Sequence, residues 1–136
     1  MIQLDLPDSL PSVLADRKDL ERVFTNLLSN AIKYNRDGGR VFVRAQRDDG
    51  RVRVEVQDTG YGIPAEALPH LCEEFFRVKM AATERVTGTG LGLAIVKRLL
   101  EVHNGYLVVA SEAGVGSTFT VYLPVHVSAT PAGAGA

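Results

Sequence analysis

Residues 26–35, NLLSNAIKYN, place several polar side chains within a segment that is rich in Leu, Ile and Ala. At about 100° per residue of an α-helix, Asn26, Asn30 and Lys33 fall within about 60° of the circumference, and Tyr34 borders that sector. Amide oxygens are suitable ligands for magnesium, a lysine can contact phosphate, and a tyrosine ring can cover a flat heterocycle. A solvated helix face is the alternative, although Asn is unfavourable in the middle of a helix. The segment by itself leaves both interpretations open.

Residues 58–63, DTGYGI, follow a stretch in which alternate valines share one face. A carboxylate at Asp58 could accept a hydrogen bond from an exocyclic amine such as that of adenine. Gly60 and Gly62 allow the backbone to take positive φ or to approach a ligand closely. An ordinary Asp-Thr-Gly turn is the alternative, and these residues taken alone favour it.

Residues 88–93, GTGLGL, place three alternating glycines at the start of a predicted helix. The free N–H groups and the dipole of such a helix start favour phosphate. The segment is not a P-loop, because it lacks GK[ST], and it is not the dinucleotide motif, because position 93 is Leu. A glycine-rich hinge is the alternative.

Hydrophobic periodicity predicts the order β-α-β-β-(long loop)-α-β-β. The predicted elements are a strand over 2–6, a helix from the N-cap Asp16 to about Asn35, strands around 41–45 and 52–56 joined by the turn 48–50, a short helix around 65–76, a helix over 91–103 ended by Gly105, and strands over 106–111 and 117–123. This order predicts an α+β fold, in which helices cover one face of a mixed, mostly antiparallel sheet to form a two-layer sandwich.

Each predicted helix has an apolar stripe that should face the sheet. The stripe of the first helix is Leu20, Val23, Phe24, Leu27, Leu28, Ala31 and Ile32, and that of the second is Ala94, Ile95, Leu99 and Leu100.

Composition limits the possible classes of protein. The net charge of −1 gives no electrostatic footprint for nucleic acid or an anionic membrane, and no apolar run is long enough for a membrane span. The one cysteine, Cys72, excludes an internal disulfide, and no signal peptide is recognisable, so we expect a cytoplasmic setting. We expect one domain over residues 1–127 and a disordered tail over 128–136.

In combination and in order, these motifs resemble those of the ATP-binding catalytic domain of bacterial sensor histidine kinases, within the superfamily that includes gyrase, Hsp90 and MutL. NLLSNAIKYN resembles the N box, DTGYGI the G1 box and GTGLGL the G2 box, while LCEEFFRV (71–78) resembles the F box and GSTFTVYLP (116–124) the final strand. The resemblance covers about residues 2–124 and implies a sandwich of the Bergerat type, with ATP and Mg²⁺ as ligands.

The resemblance implies a role for each polar residue of the first helix. Asn30 would coordinate the magnesium ion that bridges the phosphates, and Asn26 would support the phosphates or the waters of that ion. Lys33 would contact phosphate, and Tyr34 would pack against the purine.

The purine pocket is implied at the G1 box. Asp58 would bind the adenine amine, and Gly60, Gly62 and Ile63 would shape the pocket around it. Thr118 is a weaker candidate for the same pocket.

The phosphate end of the site is implied at the G2 box and at a lid over residues 64–87. The residues implied at the G2 box are consecutive: Gly88, Thr89, Gly90, Leu91 and Gly92. Arg77, in the lid, would reach the γ-phosphate and would act in catalysis together with Asn30 and Lys33.

The implied activity is transfer of the γ-phosphoryl group of ATP to a histidine on a separate dimerisation domain, with a response regulator as the further partner of the whole kinase. None of His70, His103 and His126 precedes an acidic residue, as the family's acceptor does, so we expect none of them to be the acceptor. The chain should be a monomer that contacts neither nucleic acid nor, directly, a membrane. The resemblance places it in the cytoplasm or in the cytoplasmic portion of a membrane-bound kinase.

Two alternatives belong to other classes of function. One is a nucleotide-binding regulatory module that signals by lid closure without phosphoryl transfer. The other is a stand-alone ATPase or serine kinase. Asn26 argues against the second, because an amide cannot act as a general base where related ATPases carry a glutamate.

Overall fold

The computed structural model describes residues 2–7, 9–74 and 92–126. The elements are the strand β1 (Ile2–Asp5), the helix α1 (Arg17–Lys33), the strands β2 (Val41–Asp48) and β3 (Arg51–Asp58), a 3₁₀ helix (Ala65–His70), the helix α2 (Gly92–Val102), and the strands β4 (Tyr106–Glu112) and β5 (Gly116–Pro124). The predicted order is confirmed. Within the described ranges, no helix has both the length and the apolar character needed to cross a membrane.

The five strands form one sheet in the order β1-β2-β3-β5-β4. β1 pairs with β2 in parallel, and every other pairing is antiparallel, so the sheet is mixed and mostly antiparallel as predicted. The register aligns Val41, Asp58, Ser117 and Ser111 across four neighbouring strands. Because paired residues share a face of the sheet, these side chains form one row near the end of the sheet.

Both helices lie on the face of the sheet to which this row belongs. The core is formed by residues of α1, α2 and the inner faces of the strands: Val23, Leu27, Ala31, Val41, Val56, Val96, Leu100, Phe119, Val121 and Leu123. This arrangement confirms the α+β sandwich. It also places one end of α1 beside the row of side chains, since the backbone of Tyr34 meets that of Tyr61.

Local signals account for the start of α1 and for the β2–β3 turn. Asp16 has an extended backbone, and its side chain accepts a hydrogen bond from the N–H of Asp19 at 3.1 Å, as an N-cap does. The turn between β2 and β3 consists of Asp49 and Gly50, with Asp49 at φ +52°. Asp is among the residues that tolerate this backbone region.

The buried faces of the two helices differ in part from the predicted apolar stripes. Ile32 is 57% exposed, although Val23, Leu27 and Ala31 of the same stripe are buried. In α2 the buried face is centred on Val96 and Leu100. The predicted stripe omitted Val96, because α2 is apolar around most of its circumference and periodicity then does not set which face turns inward.

The short helix predicted around 65–76 is smaller than expected. It is a 3₁₀ helix over Ala65–His70 with Pro69 inside it. Proline has no N–H to donate, so it does not support an α-helix at that position. Residues 75 and 76 lie outside the described residues.

Candidate functional site

Asp58 is the last residue of β3 and is only 7% exposed. It pairs with Val41 on one side and with Ser117 on the other, so its side chain belongs to the row on the helix-covered face. Neighbouring core side chains keep water away from it. The sheet therefore holds a carboxyl group in a partly apolar setting at the edge of the core.

Backbone donors partly compensate the burial of this carboxyl group. The N–H of Gly60 donates to Asp58 Oδ1 at 2.9 Å, and Ser117 contributes a second backbone hydrogen bond. Burial nevertheless raises the pKa of Asp58, and the two hydrogen bonds only oppose that shift. Within the described ranges no Lys, Arg or His forms an ion pair with Asp58. Such a carboxylate is suited to accept a hydrogen bond from an amine of a bound ligand.

The loop that follows Asp58 packs against the end of α1. The N–H of Tyr61 donates to the carbonyl of Tyr34 at 3.1 Å. A Cβ at position 60 would collide with that carbonyl and would lie 2.9 Å from Asp58 Oδ1. Only glycine at position 60 allows α1 and the loop to approach this closely. The contact brings Tyr34, predicted to cover the purine, to the loop of Asp58.

The same loop is fixed to the β4–β5 hairpin. Gly62 has φ +72°, and a Cβ there would collide with the carbonyl of Glu112. The N–H of Ile63 donates to Ser111 Oγ at 2.8 Å. Gly62 and Ile63 thus set the course of the chain between the two hairpins. That they shape a ligand pocket stays a prediction.

The polar residues of α1 continue from Tyr34 towards the start of α2. Asn26, Asn30 and Tyr34 are half-buried, and Lys33 is exposed. A Cβ at Gly92 would lie 3.9 Å from both Cγ and Oδ1 of Asn26. The structure therefore brings the first residue of α2 beside the first polar residue of the α1 sector. The phosphate-binding roles of residues 26 and 92 stay predictions.

The α1 sector is compatible with a magnesium ion that also binds phosphate. The side chains of Asn26 and Asn30 form no hydrogen bond with another described residue. No group of three or more His, Cys, Asp or Glu residues that could hold a metal occurs within the described ranges. Mg²⁺ is often held by few protein ligands together with substrate phosphates and water, and an amide oxygen is a hard ligand of that kind. The donor set thus fits a Mg²⁺–nucleotide complex.

Thr118 does not lie where it was predicted. It pairs with Gln57, and successive residues of a strand point to opposite faces, so Thr118 belongs to the face away from the helices. Ser117 occupies the position opposite Asp58 and is 6% exposed. The sequence signal for this was the alternation of Phe119, Val121 and Leu123, which puts residue 117 on their face.

Several predicted site residues lie outside the described residues: Arg77, Gly88, Thr89, Gly90 and Leu91. The same holds for the larger part of the predicted lid and for the predicted tail over 128–136. Their assignments stay predictions.

Comparison with known proteins identifies relatives that match most of the chain. Residues 15–127 match the family described as histidine kinase-, DNA gyrase B-, and HSP90-like ATPase. The chain is 40% identical over 124 residues to the circadian input-output histidine kinase CikA of Synechococcus elongatus, covering 91% of this chain and 16% of CikA. It is also 40% identical over 126 residues to the adaptive-response sensory kinase SasA of Parasynechococcus marenigrum, covering 91% of this chain and 32% of SasA. The chain thus spans less than a third of the length of each of these two curated relatives.

Solved structures show the same architecture. The mycobacterial sensor histidine kinase MprB superposes with a TM-score of 0.78 at 34% identity, covering 92% of this chain and 84% of that chain. Full-length ShkA in complex with AMPPNP superposes with a TM-score of 0.76 at 35% identity, covering 91% of this chain and 25% of ShkA. The matched region includes Asp58 and both helices, so the chain belongs to the histidine kinase-, DNA gyrase B- and HSP90-like ATPase family, in the branch of the two-component sensor kinases.

Proposed function

We propose that this chain binds Mg²⁺–ATP and donates the γ-phosphoryl group to a histidine on a separate dimerisation domain of a sensor kinase. The observation that carries the proposal is the buried Asp58 carboxylate, held by the Gly60 N–H beside the end of α1. Burying a carboxylate costs folding free energy, groups with perturbed pKa values are concentrated at functional sites, and an adenine amine is a donor that suits this one. The AMPPNP that is bound by full-length ShkA, a structural relative, supports a nucleotide as the ligand.

The described residues are assigned to the two ends of the nucleotide, the purine and the phosphates. Asp58 accepts from the adenine amine, Ser117 lies beside it, and Tyr34 packs against the purine. At the other end, Asn26 and the start of α2 at Gly92 receive the phosphates, because the N–H groups of a helix start are unpaired and favour anions. Asn30 and Lys33 lie on the same side of α1 as Asn26.

Phosphoryl transfer needs positive charge at the γ-phosphate more than it needs a protein base. An imidazole nitrogen of the acceptor attacks phosphorus, the bond to the β–γ bridging oxygen breaks, and ADP leaves with that oxygen. When bound, magnesium neutralises charge on the phosphate oxygens. Lys33 and the predicted Arg77 supply further positive charge there. Asn26 does not accept a proton at neutral pH, so the chain alone should hydrolyse ATP poorly.

The proposed partners follow from the relatives, which are named as sensor kinases several times longer than this chain. They are a helical domain with the acceptor histidine and, through the whole kinase, a response regulator. We propose that the chain works as a monomeric unit in the cytoplasm.

The binding part of the proposal is tested by calorimetric titration with AMPPNP, with and without magnesium. We expect binding in the micromolar range that magnesium strengthens and that Asp58→Asn abolishes. Asp49→Asn is the matched control, because Asp49 is exposed in the β2–β3 turn at the other end of β3. Equal binding by wild type and Asp58→Asn, or no binding by a folded wild-type chain, would contradict the site.

The transfer part is tested with γ-labelled ATP and a panel of histidine-bearing dimerisation domains of sensor kinases. Label that is acid-labile and base-stable on such a domain is the expected result. Nucleotide binding without transfer to any domain would instead support a regulatory module. Rapid release of ADP by the chain alone would favour an ATPase.

A further inference from the structure

Arg36 joins three segments that are distant in sequence. Its Nη2 donates to the carbonyl of Gly60 at 2.9 Å and to the carbonyl of Gly114 at 2.9 Å. Arg36 follows the end of α1, Gly60 follows β3, and Gly114 lies in the turn between β4 and β5. One guanidinium group therefore connects the end of the helix to two loops that leave the sheet at the same end.

The two carbonyls belong to backbone segments that also bind each other. The N–H of Gly114 donates to the carbonyl of Tyr61 at 2.7 Å, and the N–H of Tyr61 donates to the carbonyl of Tyr34 at 3.1 Å. The peptide between Gly60 and Tyr61 is thus held at its oxygen by Arg36 and at its N–H by Tyr34. Hydrogen bonds from a charged donor are stronger than those between neutral groups, so Arg36 is a major restraint on this peptide.

The Asp58 carboxylate depends on the position of the same peptide. The N–H of Gly60 donates to Asp58 Oδ1, and Gly60 cannot move without lengthening that bond. Burial already raises the pKa of Asp58, so loss of a backbone donor leaves the carboxylate with less compensation. Arg36 forms no ion pair with Asp58 itself within the described part of the chain.

Arg36 is itself presented by an ordered turn. Asn35 Oδ1 accepts from the N–H of Arg36 at 2.9 Å, and Asn35 Nδ2 donates to the carbonyl of Arg40 at 2.9 Å. Because the backbone of residue 36 is held, the guanidinium group reaches the two carbonyls from a Cα atom of fixed position.

We propose that Arg36 is a positioning residue for nucleotide binding, which acts through the Gly60–Tyr61 peptide to keep the Asp58 carboxylate directed at the purine. The assignment rests on the proposed nucleotide-binding function. In this role Arg36 does not contact the nucleotide. The effect of removing the Arg36 side chain on the dissociation constant should therefore be independent of the number of phosphates on the ligand.

The test compares Arg36→Gln, Arg36→Lys and the control Arg47→Gln. Arg47 is a matched control, because its Nε also donates to a turn carbonyl, that of Asp49 at 3.0 Å, but at the opposite end of the sheet. Titrations with AMPPNP and with adenosine give the dissociation constants. Hydrogen exchange of the Tyr61 and Gly114 amides, measured without ligand, reports the restraint on the loop independently of binding.

We expect Arg36→Gln to weaken binding of AMPPNP and of adenosine by the same factor, about fivefold, and to speed exchange at Tyr61 and Gly114. Arg36→Lys keeps a cationic donor and should restore part of both properties, which a general loss of stability would not predict. Arg47→Gln should leave both properties unchanged.

Three results would overturn the assignment. Unchanged affinity and exchange in Arg36→Gln would show that the two hydrogen bonds are dispensable. A loss confined to AMPPNP would make Arg36 a direct phosphate ligand. Faster exchange with unchanged affinity would make it a structural residue only. If the folded wild-type chain binds neither ligand, the proposed function fails, and the exchange data then report on the loop alone.

Discussion

At the scale of single residues, Asp58 shows how the site differs from the rest of the core. It is a buried acid whose partners are backbone groups, and the residues that surround it on the sheet are apolar or small. Desolvation raises its pKa above the ordinary value of 3.8. A residue that destabilises its own surroundings in this way is typical of a functional site.

The raised pKa predicts how stability should depend on pH. The folded state binds the Asp58 proton more tightly than the unfolded state, so this group's contribution is present at low pH and is lost as pH rises through its folded-state pKa. Asparagine carries no such charge. We therefore expect the free energy of unfolding of Asp58→Asn, relative to wild type, to increase as the pH rises from the ordinary carboxyl pKa of 3.8 towards neutrality.

Chemical denaturation of both proteins across that pH range measures the difference. Asp49→Asn is again the control, and its difference from wild type should stay nearly constant. A difference for Asp58→Asn that shrinks as the pH rises would show that the carboxylate is better compensated in the folded state than its burial indicates.

At the scale of elements, the end of α2 determines where the chain enters β4. Asn104 has φ +60°, and its N–H donates to the carbonyl of Glu101 at 3.1 Å. The next N–H, of Gly105, donates to the carbonyl of Leu100 at 2.7 Å. This pair of bonds is a Schellman motif, in which Asn104, and not the predicted Gly105, takes the left-handed conformation. Gly105 has another role, since a Cβ there would collide with the carbonyl of Tyr122.

At position 104, glycine should therefore be more stable than alanine, which is the reverse of their ranking inside a helix. Asn104→Ala should lower the free energy of unfolding by about 1 kcal/mol, since alanine is strained at positive φ, whereas Asn104→Gly should be neutral or slightly stabilising. At Arg98, an exposed position within α2, glycine should be less stable than alanine by about 1 kcal/mol. Thermal and urea unfolding of the four variants measure both rankings. The same ranking at the two positions would contradict the assignment of the left-handed residue.

At the scale of the whole molecule, the two helices must keep a fixed separation for Asn26 and Gly92 to face each other. His103 connects them at the other end. Its Nδ1 donates to the carbonyl of Leu99 at 2.7 Å, and its Nε2 accepts from the N–H of Asp16, the N-cap of α1, at 3.1 Å. Both ring nitrogens of His103 thus have structural partners. For this reason we do not expect His103 to accept the phosphoryl group.

Loss of this connection should destabilise the fold without removing a site residue. We expect His103→Ala to lower the free energy of unfolding by about 1 to 2 kcal/mol, because it leaves two backbone groups without their partner. His126→Ala is the control, because the side chain of His126 is exposed and only its N–H binds Ser12. Urea denaturation measures both changes. Equal effects of the two substitutions would show that the connection between the helices contributes little.

Features that depend on near neighbours along the chain were determined by the sequence itself. The N-cap at Asp16 and the turn at Asp49 were predicted, because capping and turn preferences are set by bonds within a few residues. The polar sector of α1 was predicted in the same way, since helical spacing alone puts Asn26, Asn30 and Lys33 together. The order of the elements and the resemblance of the motifs then led to the family that the comparisons confirm.

Other features were decided only by the tertiary structure, because they depend on contacts between residues far apart in sequence. The register of β3 and β5 places Ser117, and not Thr118, opposite Asp58, and a shift of one residue would have exchanged them. The inward face of α2 is set by how the helix packs on the sheet. The two carbonyls bound by Arg36 lie 24 and 78 residues away in the chain, so no local pattern indicates that they meet at one guanidinium group.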